Sequence, residues 1–163
     1  MVIWIIGISG SGKSFLAKKI LNRIKGKKIH VDGDEVRKYL TNNLGYTKRD
    51  RKKNSVFISN LCEYLENKGF TVVCSILSIF REHQLLNRKR FKKYFQIYIK
   101  TNRSIVLKRN HQNIYSKRNK VVGKDITFPV PVKNDITVVN NFENYKENTI
   151  KNIIKKITNV KKN

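Results

Sequence analysis

The chain has 163 residues with 36 Lys and Arg against 11 Asp and Glu, a formal net charge of +25. That length fits one domain, 1–163, with a core of its own. No apolar run approaches the ~18 residues that span a bilayer, so a soluble, cytoplasmic protein without membrane insertion is expected.

The elements alternate from the start. The apolar run Val2-Ile3-Trp4-Ile5-Ile6 predicts a strand over 2–6, and the helical pattern of 13–25 follows a turn. Between them stands Gly7-Ile8-Ser9-Gly10-Ser11-Gly12-Lys13-Ser14, a phosphate-binding loop in the strand-to-helix setting the motif requires. Its glycines let backbone N–H groups converge on phosphate oxygens at a helix N-terminus. Lys13 reaches the β and γ phosphates and Ser14 offers a hydroxyl to Mg²⁺. ATP and Mg²⁺ are therefore the expected cofactors, with residues 7–14 as their binding loop.

A strand over 28–31 leads into Val31-Asp32-Gly33-Asp34-Glu35-Val36-Arg37 and a helix over 34–42. Phosphoryl transfer to an alcohol needs a group that takes or orients the hydroxyl proton, and Asp34 with Asp32 can supply it. Asp34 can equally serve only as the N-cap of that helix. A longer helix is expected over 48–68, with Val56, Ile58, Leu61, Cys62 and Leu65 as its packed face and Gly69 as its stop. Strands at 70–77 and 94–100 flank a helix at 81–93, and a helix at 103–110 follows. Residues 116–134 are polar and punctuated by Gly123, Pro129 and Pro131, which reads as a structureless lid beside the phosphate site. A strand at 135–139 and a helix at 142–158 carrying Tyr145, Ile150, Ile153, Ile154 and Ile157 complete the pattern, with fraying expected after Asn159.

Strands separated by helices imply an α/β fold: three layers of the P-loop NTPase type, a mostly parallel sheet with helices on both faces. Ligands of such folds bind at the carboxyl ends of the strands. There the loop, Asp32 to Asp34 and Leu77 to Arg81 would gather. Cys62 and Cys74 lack CxxC spacing or a neighbouring His, so buried free thiols are expected rather than a zinc site. His30, His83 and His111 are scattered and are expected to take no part in catalysis. The basic clusters at 48–53, 88–93 and 151–162 admit a nucleic-acid end kinase or binding module. They form no single stripe and carry no interleaved aromatic platform. A compositional bias over solvated faces is favoured instead, and nucleic acid is not the expected partner.

The loop GISGSGKS, the segment VDGDEVR, the stretch from Leu44 to Asn54 and the segment from Ser75 to Arg81 resemble, in order and spacing, the adenylylsulfate (APS) kinase family. The resemblance implies transfer of the ATP γ-phosphate to the ribose 3′-hydroxyl of adenylylsulfate in sulfate assimilation. It places Asp34 near the acceptor hydroxyl with Asp32 in support, and Arg37, Arg51 and Asn54 around the acceptor nucleotide. Tyr46 takes the place of a base-stacking phenylalanine, and Leu77 and Ser78 line the acceptor pocket. Ser78 is often marked in that family as a phosphoserine intermediate, although in-line transfer needs only positioning and charge stabilisation, which leaves it a hydrogen-bonding hydroxyl. Lys117 is the implied cation for the transferring phosphoryl group, and Arg109 the residue that meets ATP. Family members are commonly dimers.

The chain departs from the family at Asn110-His111 and Asn113, at Ile79 in place of a proline, and at Val121 where an aromatic would close the base sandwich. These departures concern acceptor selection. They leave open another nucleotide acceptor, such as cytidine diphosphoramidate of surface-polysaccharide pathways.

Overall fold

The computed structural model describes residues 1–39, 44–109, 121–142 and 147–162. Five strands, β1 (Val2–Ile6), β2 (Lys28–Asp32), β3 (Thr71–Ile76), β4 (Tyr94–Lys100) and β5 (Ile136–Val139), form one sheet in the order β2-β3-β1-β4-β5. Every pairing is parallel. The helices are α1 (Lys13–Leu21), α2 (Gly33–Tyr39), α3 (Lys48–Asn67), α4 (Arg81–Arg90), α5 (Arg103–Arg109) and α6 (Glu147–Lys162).

The alternation of side chains along β1 divides the core in two. Ile3 and Ile5 pack with Val73, Phe95 and Ile97 against Leu16, Ala17 and Ile20 of α1 and Ile150, Ile153 and Ile157 of α6. Val2, Trp4 and Ile6 pack on the other face with Val36 of α2 and Ile58 and Cys62 of α3. Both faces are covered, which is why the strands read as unbroken apolar runs rather than polar-apolar alternation. Among the described residues, no helix is long and apolar enough to cross a membrane.

Several local expectations change. Val56 is exposed, because the buried stripe of α3 runs through Asn54, Ser55, Ile58, Ser59, Cys62 and Glu66, turned away from it. Helix α4 stops at Arg90, and the amides of Lys92 and Lys93 donate to the Glu66 carboxylate at 3.1 and 3.2 Å. α6 continues past Asn159 to Lys162 instead of fraying, and Tyr145 lies outside the described residues. Both cysteines are buried free thiols, as expected. Burial, with Cys62 beside it, pushes the Cys74 thiol well above its usual range.

Candidate active site

The carboxyl ends of β1, β2 and β3 supply the site. β1 ends into the phosphate loop, where Gly10 and Gly12 have φ of 77° and 90°, a left-handed backbone that side chains with a Cβ resist. Helix α1 begins without a side-chain N-cap, so its first N–H groups face the concavity of the loop. Two contacts hold the loop from behind. Ile8 packs with Val106 of α5 and Val121, and the buried Asn140, just past β5, donates from Nδ2 to the carbonyl of Ser11 at 2.9 Å. Its Oδ1 accepts the Phe142 amide at 2.9 Å. Asn140 was not expected from sequence, since the Asn140-Asn141 pair after a strand looks like any turn.

Lys13 Nζ donates to the Ile8 carbonyl at 2.9 Å. Burial pushes this ammonium below its usual range while Asp34 and Asp32 pull it back up. A partly buried cation beside the backbone amides of the loop favours a polyanion. Nucleotide phosphates supply one.

At the end of β2, Asp32 accepts three hydrogen bonds. Ser14 Oγ donates to Oδ2 at 2.6 Å, Ser75 Oγ donates to the same oxygen at 2.8 Å, and the Asp34 amide donates to Oδ1 at 2.9 Å. Burial raises the Asp32 carboxyl, but the three donors outweigh it and hold the group below its usual range. Asp32 is thus ionised and, with α2 starting at Gly33, it is the residue that caps that helix. The alternative in which Asp34 is merely the N-cap falls away, and Asp34 presents an exposed carboxylate in the first turn. His30 Nε2 lies 2.9 Å from Ser75 Oγ. Burial pushes its imidazole below the usual range against the pull of Asp32. The sequence reading left His30 and Ser75 out; the signal was the His30-Val31-Asp32 alternation, which puts both polar side chains on one face of β2.

The donor set fits Mg²⁺, a hard cation that takes oxygen ligands. Ser14 gives its proton to Asp32, which leaves hydroxyl lone pairs for a metal, with an anionic carboxylate directly behind.

Of the residues that the family resemblance assigns to the acceptor, Arg37 and Arg51 stand beside Tyr46. The guanidinium carbons of Arg37 and Arg51 stand 4.9 and 5.3 Å from its ring centroid, within cation–π range. Arg37 also donates to the carbonyls of Leu44 and Gly45, and Arg51 Nε donates to that of Tyr46 at 3.0 Å. Asn54 is buried in α3, Leu77 is half-buried, and Ser78 is buried with Gln84 Nε2 donating to its hydroxyl at 3.4 Å.

Two expectations around the lid are altered. Val121 is 5% exposed and packs with Ile8 of the phosphate loop and Val106 of α5. The described part of the expected lid, 121–134, also has order of its own. Its turn bonds Asp125 N to Val121 O at 2.8 Å, and Gln84, Gln96 and Arg81 bind the backbone at Val132 and Val130. A polar, proline-containing stretch cannot show in sequence that side chains on α4 and β4, among them the buried Gln84 and Gln96, will pin it. Lys117 and the side chain of Arg109 lie outside the described residues.

A phosphate loop at the end of a central parallel strand, with carboxylates at the end of the next strand but one, defines a P-loop kinase. A model of the adenylylsulphate kinase family matches residues 1–139, and the chain belongs to that family. It is 30% identical over 164 residues to the cytidine diphosphoramidate kinase of Campylobacter jejuni, covering 96% of this chain and 95% of that protein. It is 31% identical over 152 residues to an adenylyl-sulfate kinase of Clostridium kluyveri, covering 88% of this chain and 76% of that one. In fold it is similar to the APS kinase CysC of Mycobacterium tuberculosis in complex with AMPPNP and APS, at TM-score 0.82 and 23% identity over 99% of this chain and 97% of that one. The protein is an ATP- and Mg²⁺-dependent kinase that phosphorylates a hydroxyl acceptor.

Proposed function

We propose that the acceptor is a nucleotide whose phosphate carries a second small polar group, with cytidine diphosphoramidate ahead of adenylylsulfate. The observation that carries this order is the burial of Val121 behind the phosphate loop. The position expected to close an adenine sandwich contributes to the core instead. Losing one stacking face costs about 1–3 kcal/mol of base preference, enough to loosen purine selection. The end-to-end similarity to a kinase of that name supports the same order. Adenylylsulfate stays as the second reading because Arg37, Tyr46 and Arg51 cluster as an anion-binding and stacking group.

In this reading Lys13 leaves the Ile8 carbonyl for the β and γ phosphates, and Ser14, oriented by Asp32, would hold Mg²⁺. Bound Mg²⁺ neutralises charge between those phosphates. Arg37 and Arg51 hold the acceptor's anionic end by bidentate donation. Asp34 takes the acceptor hydroxyl proton as that oxygen bonds to the γ phosphorus and the bond to ADP breaks. Ser78 acts as a hydrogen-bonding hydroxyl held by Gln84, while Arg109, at the end of α5, and Lys117, later in the chain, attend the phosphates. A homodimer and a cytoplasmic location belong to the same reading.

The test is ATP consumption by the purified protein with Mg²⁺, with cytidine diphosphoramidate, adenylylsulfate and a short oligonucleotide at equal concentration. Turnover greatest with the cytidine compound is the expected result. Turnover confined to adenylylsulfate would reverse the order, and turnover with the oligonucleotide would refute the small-nucleotide reading.

A further inference from the structure

We propose that His30 and Ser75 are positioning residues for the metal site, a two-residue relay that locks Asp32 so that the Ser14 hydroxyl turns its lone pairs toward Mg²⁺. This rests on the reading of Ser14 as the metal-side residue. The relay is a continuous chain: His30 Nε2 to Ser75 Oγ at 2.9 Å, Ser75 Oγ to Asp32 Oδ2 at 2.8 Å, and Ser14 Oγ to Asp32 Oδ2 at 2.6 Å.

The backbone explains why the four meet. Asp32 and Ser75 are register partners on the parallel strands β2 and β3. His30 lies two residues before Asp32 and so shares its face. Ile5 is the partner of Ser75 on β1 and belongs to the core under α1. The relay therefore lies on the α1 side of the sheet, beneath the helix that carries Ser14.

Proton accounting fixes the direction. A serine hydroxyl has one proton and an ionised carboxylate has none. The Ser75 proton goes to Asp32, so the oxygen of Ser75 meets His30 with a lone pair, and His30 Nε2 must carry the hydrogen. With the proton of Ser75 turned toward His30 instead, Asp32 would lose one of the donors that compensate its burial. Two hydroxyls on Oδ2 and an amide on Oδ1 then leave the carboxylate no freedom to rotate. Only one direction remains for the Ser14 proton. Nothing in the transfer chemistry touches His30 or Ser75; they act through Asp32.

Two measurements test this on the full chain. The first is the side-chain ¹⁵N spectrum of His30 in the absence of nucleotide. The Nε2–H tautomer with an unprotonated Nδ1 is expected, and Nδ1–H as the major form would overturn the relay. The second is the ratio of AMPPNP dissociation constants without and with Mg²⁺. Ser75→Ala is expected to reduce that ratio about tenfold, the lower end for partners of metal ligands, with Mg²⁺-free binding unchanged. His30→Leu is expected to do the same, and His30→Gln, which keeps a side-chain N–H, to restore most of it. An unchanged ratio in Ser75→Ala, where Ser14→Ala loses it, would refute the relay alone. An unchanged ratio in Ser14→Ala would refute the metal-side reading of Ser14, and the relay with it. If His30→Leu does not fold, the tautomer and the Ser75→Ala ratio still decide.

Discussion

Asn140→Ala isolates the support behind the phosphate loop. The amide of Asn140 makes two hydrogen bonds, to the Ser11 carbonyl and from the Phe142 amide, each at 2.9 Å, and the residue is 6% exposed. Each bond is worth about 1 kcal/mol net, and a buried group left without its partner costs about 1–3 kcal/mol. Ser11 is fully buried, so water cannot easily replace the lost donor. The expected loss is roughly 2–3 kcal/mol in urea denaturation, with several-fold weaker AMPPNP binding because Ser11 sits inside the loop. Asn140→Asp keeps an acceptor for Phe142 but turns a carboxylate toward a carbonyl beside the phosphate site, so nucleotide affinity should fall further than stability does. A stability change under about 0.5 kcal/mol, the range of ordinary surface substitutions, together with unchanged AMPPNP affinity, would refute the reasoning.

Lys13→Ala should abolish phosphoryl transfer while leaving the melting transition in place; measurable turnover would remove Lys13 from the phosphate site. Asp34→Asn should lower kcat much more than it weakens ATP binding, and near-normal kcat would exclude Asp34 as the proton acceptor. Val121→Phe should overpack the cluster with Ile8 and Val106 and cost about 1–3 kcal/mol. A gain in affinity for an adenine acceptor at full stability would instead put that side chain in the base pocket. Burial holds the Tyr94 hydroxyl, which donates to Gln96 Oε1 at 2.8 Å, well above its ordinary value of 10.0. Its contribution to stability is whole below pH 10 and declines as pH rises toward the folded-state value, because only the unfolded chain releases the proton. Tyr94→Phe should therefore flatten the alkaline limb of stability against pH, and an identical limb in the variant would contradict this.

The phosphate loop could be read from sequence because each of its parts is a local property. Glycines permit the left-handed turns at Gly10 and Gly12, an apolar run forms the strand before them, and Lys13 and Ser14 follow at fixed offsets. The order of strands and helices was legible for the same reason: period-two and period-three-to-four patterns are written within a few residues of one another. What no window of sequence contains is the pairing of β2 with β3 that sets Asp32 against Ser75, or the reach of Asn140 across 129 positions to Ser11. On α3 the expected face holds at Ile58, Leu61, Cys62 and Leu65 and fails at Val56 on the same ground. Val56 and Ile58 are alike in propensity, and only the direction of the sheet decides which is buried and which meets water. Val121 shows the limit most plainly: alignment to a motif says where a side chain stands along the chain, whereas packing against Ile8 and Val106 determines which way it turns. The sequence by itself determined the nucleotide-handling chemistry, because backbone turns and charges at short spacing suffice for phosphate. The tertiary structure decided how that site is braced, because hydrogen bonds and contacts between distant strands depend on the three-dimensional register of the sheet.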